Sequence, residues 1–307
     1  MKIQLLQPYS FCQVGKRDNQ EDARFPDMDM PSADAPCFVV CDGVGGEDNG
    51  EIASRTVCEA FGKYMYQKKQ TDTFTVSDFR KALSFVYAKL IGAMHGKSMG
   101  MATTMTFLCF HEDGVLAAHI GDSRIYQIRP HVGILYRSND HSLVNALVHS
   151  GNITPEAGIN HPKSNYITRY LGRVEKDAEL TTVDVIQLND IESGDYFLLC
   201  TDGVIQILDE ETLQKILEEK ESDEYKMKRI ADICKNSSDN NTAILIPVQT
   251  VTKERDMDNI VWNEDNEEQK NVTLMLSQPH PVITEVKPVN NGSLKTKFVG
   301  FLKNLFN

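Results

Sequence analysis

Phe38-Val39-Val40-Cys41-Asp42-Gly43-Val44-Gly45-Gly46 sets one carboxylate between a short apolar run and a glycine-rich turn. The run, with its β-branched residues, reads as a buried strand. Asp42 then stands at the strand mouth, where the glycines let the backbone turn sharply and approach a small charged ligand. Alone, Asp-Gly is also a common hairpin turn. The remainder of the chain decides between turn and ligand site.

The pattern recurs. Phe197-Leu198-Leu199-Cys200-Thr201-Asp202-Gly203 is again an apolar run ending in Asp-Gly, and His119-Ile120-Gly121-Asp122-Ser123-Arg124 places another acid in a tight turn. Asp239-Asn240 stands just before the apolar run that starts at Thr242, and Glu21-Asp22 follows a charged stretch near the N-terminus. Each one alone is a turn or a cap; five acidic sites of this kind, three directly abutting a buried strand, point to a shared purpose.

Around these sites the periodicity changes in blocks. Residues 3–14 predict a strand or strand pair, and residues 26–36 a proline-broken loop. Ile52, Ala53, Val57, Ala60, Phe61 and Met65 recur at helical spacing, as do Phe79, Leu83, Val86, Tyr87, Leu90, Ile91 and Met94 after a cap at Ser77. Strands are expected over 103–110, 115–120, 124–128 and 134–137, a helix over 142–149, and a polar loop over 151–165. Further strands fit 182–186, 196–200 and 242–248, with helices over 209–219 and 223–234. Runs of strands separated from paired helices predict an α+β fold, a four-layer α-β-β-α sandwich of two antiparallel sheets flanked by paired helices.

The 307 residues, 41% hydrophobic, suffice for one catalytic-sized domain, placed at 1–248, and a smaller C-terminal extension, 249–307. A net charge of −12 argues against nucleic acid or anionic lipid as a partner for the body of the protein. The seven cysteines form no Cys-x-x-Cys pair and read as reduced thiols. Without a signal-peptide run or an apolar stretch near ~18 residues, the expected compartment is the cytoplasm.

If the acidic strand ends converge on one rim, they make a cluster of oxygen ligands without thiolate or imidazole, which suits Mg²⁺ or Mn²⁺. Carboxylates that close raise one another's pKa and need a cation to stay ionised. Two ions about 3.5–4 Å apart would share a carboxylate and a water, lower the pKa of that water and aim it in line at phosphorus. That is phosphate ester hydrolysis without a protein nucleophile.

In order along the chain, Arg17 with Glu21-Asp22, Asp42-Gly43-Val44-Gly45-Gly46, Gly100 with Thr103-Thr104, Gly121-Asp122-Ser123-Arg124, Asp140-His141-Ser142, Thr201-Asp202-Gly203 and Asp239-Asn240 resemble the motifs of the metal-dependent PPM (PP2C-type) serine/threonine protein phosphatases over residues 5–248. The resemblance implies Asp42 as bridging ligand, Gly43 as a carbonyl ligand, Asp202 and Asp239 on the same ion, and Glu21 or Asp22 supporting a second. It likens Asp122 with Asp202 to the pair that holds a third, weaker ion in bacterial members. Arg17 matches the arginine that grips the substrate phosphate, and residues 151–170 resemble a flap beside the site. Phosphorylated proteins, and a Ser/Thr kinase acting on the same targets, are the implied partners of a monomeric enzyme.

Val44 stands where many eukaryotic members carry a histidine proposed as general acid; bacterial-type members often have an apolar residue there. His141, beside a helix start, is more simply structural. The alternative is a PP2C-fold module that binds phosphoproteins without cleaving them, and the intact Asp42, Asp202 and Asp239 favour the enzyme. No Cys-x₅-Arg and no P-loop occurs. The extension is acid-rich over 250–270, strand-like over 273–289, and ends in a basic amphipathic helix suited to docking on a partner, a membrane surface or its own core.

Overall fold

The computed structural model describes residues 1–44, 49–68, 73–94, 101–159, 161–163, 166–172 and 182–252. Gly45, Gly46, Gly100 and the elements expected beyond Thr252 lie outside the described residues. Met1–Arg255 forms one compact unit.

Five strands make one antiparallel sheet, in the order Asp184–Leu188, Gly114–Ile120, Met105–His111, Phe38–Cys41, Ala23–Phe25. The other main sheet runs Lys2–Leu5, Asn241–Thr252, Tyr196–Cys200, Arg124–Arg129, Gly133–Arg137, with Tyr9–Gln13 also paired to Asn241–Thr252. A small ladder joins Leu171–Gly172, Ala102–Thr103 and Gly43–Val44.

Side-chain alternation explains why the central strands read as unbroken apolar runs. Phe38 and Val40 point between the sheets with Leu108, Ile125, Phe197, Leu199, Ile244 and Ile246. Val39 and Cys41, on the opposite face, pack with Val57, Phe61, Phe79 and Val86 of the helices Gly50–Gln67 and Val76–Ala93. Leu198, Cys200 and Leu245 likewise meet Leu213, Ile216, Met227 and Ile230 of Glu210–Glu218 and Asp223–Cys234. Both faces of each sheet are therefore buried, and four layers result. Phe38, Phe61, Phe107 and Phe197 are fully buried, and each such side chain contributes roughly 1.5–3 kcal/mol relative to exposure.

Several boundaries differ from the sequence expectation for local reasons. The second helix is capped by Thr75 rather than Ser77: the Thr75 hydroxyl accepts from the Asp78 N–H, and the Asp78 carboxylate accepts from the Thr75 N–H at 3.1 Å. That reciprocal box satisfies two orphan donors at once. Ile91, expected in the core stripe, is half exposed at 51%, because Leu90, Ala93 and Met94 take the core-facing side of this last turn. The strand expected over 103–110 breaks at Thr104, which turns its backbone and hydroxyl to Asp42. The strand expected over 182–186 is Asp184–Leu188, in register with Val115–His119. A short helix, Pro155–Ile159, interrupts the expected polar loop. The last strand runs on to Thr252 because its end pairs with Lys2–Leu5.

Candidate metal centre

Strand register brings the acids together. Cys41 pairs with Ala23, setting Asp42 beside Glu21-Asp22. Cys200 pairs with Ala243 on one side and Arg124 on the other, bringing Asp202 near Asp239 and Asp122. Asp202 itself opens a one-turn helix, Asp202–Ile205, instead of closing a hairpin.

Threonines and an asparagine hold this rim. Asp42 donates its N–H to Thr104 Oγ1 at 2.9 Å and accepts at its carbonyl from the Thr104 N–H and the Thr103 hydroxyl, each at 2.8 Å. Thr104 Oγ1 is in turn 2.7 Å from Ser123 Oγ, next to Asp122. The Thr201 hydroxyl donates to Asp22 Oδ2 at 2.9 Å. Asn240 Oδ1 accepts the Glu21 N–H at 2.8 Å while its amide donates to the Val14 and Asn19 carbonyls. Gly43 donates to the Glu21 carbonyl at 3.1 Å. A Cβ on Gly43 would stand 2.4 Å from the Gly50 backbone, so the close approach of the two chains requires glycine there.

Burial and mutual repulsion act on these acids together. Asp22 is buried, and Asp42, Asp122, Asp202 and Asp239 are half-buried. Burial pushes Asp22 up to about 8, with Asp202 and Asp239 raising it further against the lowering bond of Thr201. Asp122 is pushed up to about 7 by burial, then by Asp202 and Asp140. Burial also drives Asp42 far above the carboxylate range, reinforced by Asp22, Asp202, Asp122 and Asp239. For Asp202 the rise comes from burial and then Asp239, opposed by the bonds from Gln206 and Asp42. Glu21 is raised by burial and by Glu51.

Asp22 Oδ1 and Asp202 Oδ1 are buried with no hydrogen-bond partner. An orphaned buried acceptor costs about 1–3 kcal/mol, more when charged. Oxygen donors, mutual repulsion and orphaned lone pairs together fit a divalent cation. At the edge of the cluster Arg17, exposed, donates to Asp239 Oδ2 at 2.7 Å.

Residues 19–232 match the family described as Protein phosphatase 2C. The chain belongs to that family. Among relatives of the phosphatase, the serine/threonine phosphatase stp of Listeria monocytogenes is 30% identical over 233 residues, covering 72% of this chain and 88% of its own. The Mycobacterium tuberculosis serine/threonine phosphatase PstP/Ppp superposes with a TM-score of 0.66 at 26% identity, over 80% of this chain and 99% of that one. A PstP catalytic domain solved with two manganese ions gives 0.64 at 25% identity, over 80% and 99%.

The family fold thus gathers the predicted acids Glu21, Asp22, Asp42, Asp122, Asp202 and Asp239, with Arg17 beside them. Val44 forms a backbone pair with Ala102 and offers no proton. The supporting bonds of Thr104, Thr201 and Asn240 carried no separate expectation from sequence; their signal is a hydroxyl or amide immediately next to, or facing, each Asp-bearing turn. Among the described residues, His119, His141 and Asp184 have donor atoms within 4.8 Å of one another.

Proposed function

We propose that this family member hydrolyses phosphoserine and phosphothreonine on proteins, using Mn²⁺ or Mg²⁺. The observation that carries the reading is the pair of orphaned, buried oxygens, Asp22 Oδ1 and Asp202 Oδ1, inside a cluster of mutually repelling carboxylates. Asp42, central to the electrostatics of the cluster, would hold metal together with the Gly43 carbonyl, Asp202 and Asp239. Glu21 and Asp22 would support a second ion, and Asp122 with Asp202 a third, weaker one. When bound, divalent cations supply Lewis-acid activation of a water and neutralise charge on the phosphoryl group.

The chain's own residues do the remaining work. Arg17 leaves Asp239 to bind the phosphate, its planar fork matching two phosphate oxygens. Thr104, through Asp42 N–H, and Thr201, through Asp22 Oδ2, fix the carboxylates so that little reorganisation is needed during reaction. Residues 166–170, with exposed Tyr166, Tyr170 and Arg169, present a surface for protein substrates beside the turn that carries Asp122. A Ser/Thr kinase sharing those substrates is the matching partner, and the chain beyond Thr252 serves regulation or targeting.

The test uses the full chain, stripped of metal and assayed on p-nitrophenyl phosphate and a phosphothreonine peptide. Activity that appears with Mn²⁺ and stops with EDTA is expected. A folded protein that binds Mn²⁺ and phosphothreonine peptide yet releases no phosphate would overturn the reading in favour of a binding module.

A further inference from the structure

His141 lies outside the carboxylate cluster, and both of its ring nitrogens are engaged. Nδ1 is 3.1 Å from the Gly121 N–H, which can only donate, so Nδ1 carries the lone pair. The proton therefore sits on Nε2, 3.0 Å from Asp184 Oδ2. Arg169 Nη1 holds the other oxygen of that carboxylate at 3.1 Å.

The backbone of His141 joins the same turn to the segment that carries Arg169. Its N–H donates to the Gly121 carbonyl at 2.9 Å, and its carbonyl accepts the Thr168 N–H at 2.7 Å and the Thr168 hydroxyl at 3.0 Å. Gly121 has φ +100° and sits so close to Thr104 that a Cβ would lie 2.5 Å from the Thr104 methyl. Asp122 follows directly.

A metal ion among His119, His141 and Asp184 does not fit. The two imidazoles stack with centroids 4.7 Å apart and planes 17° apart, so their in-plane lone pairs run side by side instead of converging. Arg169 Nη1 stands 3.3 Å from His141 Nε2, already supplying positive charge at that point. His119 Nε2 is committed to the Asn139 carbonyl at 2.8 Å.

We propose that His141 is a positioning residue whose imidazole, its tautomer fixed by Gly121 and Asp184, clamps the Gly121-Asp122 turn and ties it to Thr168-Arg169. Asp122 then keeps its place opposite Asp202 while residues 166–170 meet substrate. The clamp rests on the phosphatase reading for its catalytic consequence, but its hydrogen bond exists without it.

Two isosteric variants separate the ring atoms. His141→Asn keeps an acceptor where Nδ1 was and loses the Asp184 arm; His141→Gln reaches Asp184 and loses the acceptor for Gly121. With Mn²⁺ and p-nitrophenyl phosphate, His141→Gln is expected to lose kcat on the order of tenfold with KM unchanged, while His141→Asn stays within about threefold of wild type. In the metal-free protein, amide exchange at Gly121 should quicken on the order of tenfold in His141→Gln alone. Equal kcat and equal Gly121 exchange in the two variants would overturn the clamp. Should wild type prove inactive, the phosphatase reading falls, and the clamp stands or falls on the exchange difference.

Discussion

Arg17 and Asp239 form an ion pair 2.7 Å long across 222 residues of chain, with the arginine side chain 56% exposed and the aspartate 26% exposed. A pair this wet contributes about 0–1 kcal/mol to stability. On the proposed mechanism its value lies in parking a guanidinium beside the acids, ready for phosphate. Arg17→Ala and Arg17→Lys should therefore raise KM for a phosphothreonine peptide on the order of tenfold, since an ammonium lacks the planar fork. Thermal unfolding should hardly move. Unchanged KM in both variants would remove Arg17 from phosphate binding.

Asp42 gives the opposite combination of outcomes. Burial and four neighbouring acids hold its carboxyl neutral in metal-free protein, so Asp42→Asn replaces one neutral group by another of similar shape. Chelated Asp42→Asn should unfold at or above the wild-type temperature, while phosphatase activity falls on the order of a thousandfold. Mn²⁺ should also raise its Tm less than it raises that of wild type. A variant with full activity would show that Asp42 does not bridge.

The acidic cluster should make the chelated protein less stable as pH rises. Asp22 at about 8 and Asp122 at about 7 keep protons in the folded state that the unfolded chain has already released. A carboxyl raised on folding contributes stability that is full below its ordinary pKa and lost as pH climbs through the folded value. The window is about pH 7 to 7.8, above the titration of unfolded histidine and below that of unfolded thiols. Tm of EDTA-treated protein should fall by a few degrees across it. Because metal must displace those protons, the Tm gain from Mn²⁺ should be larger at pH 8.5 than at pH 6. A flat or rising Tm for the chelated protein would show that these acids are ionised without metal.

The fold and the acidic rim were legible because both are local patterns. Phe38–Cys41 and Tyr196–Cys200 are apolar at every position since each face is covered, and each is followed within two residues by an acid. What could not be read was the long-range support. Thr104 breaks its strand to bond Asp42, 62 residues away, and Thr201 meets Asp22 across 179 residues. Their hydroxyls look like ordinary β-branched strand residues until the partner is in place. Ser77 and Thr75 are both acceptable caps; only Thr75 has Asp78 three residues on, the spacing that closes the box.

Two glycine substitutions separate backbone contact from backbone freedom. A Cβ on Gly203 would lie 2.0 Å from the Asn240 carbonyl oxygen, a clash between main chains that no rotamer can relieve. The short helix that starts at Asp202 is packed against the strand that begins just after Asp239, and the Gly203 carbonyl accepts the Ser237 hydroxyl at 2.9 Å. Gly203→Ala must push these segments apart, separating Asp202 from Asp239. We expect a loss of about 2–4 kcal/mol in urea unfolding, and a rise in the Mn²⁺ concentration needed for half-maximal activity. Gly92, near the end of the helix Val76–Ala93, has nothing within 4 Å of its added Cβ. Gly92→Ala should instead stabilise by about 0.5–1 kcal/mol, by lowering the entropy of the unfolded chain, and leave the Mn²⁺ requirement unchanged. If Gly203→Ala shifted neither quantity, the close approach of residues 202–203 to 239–240 would not be what sets the two carboxylates together.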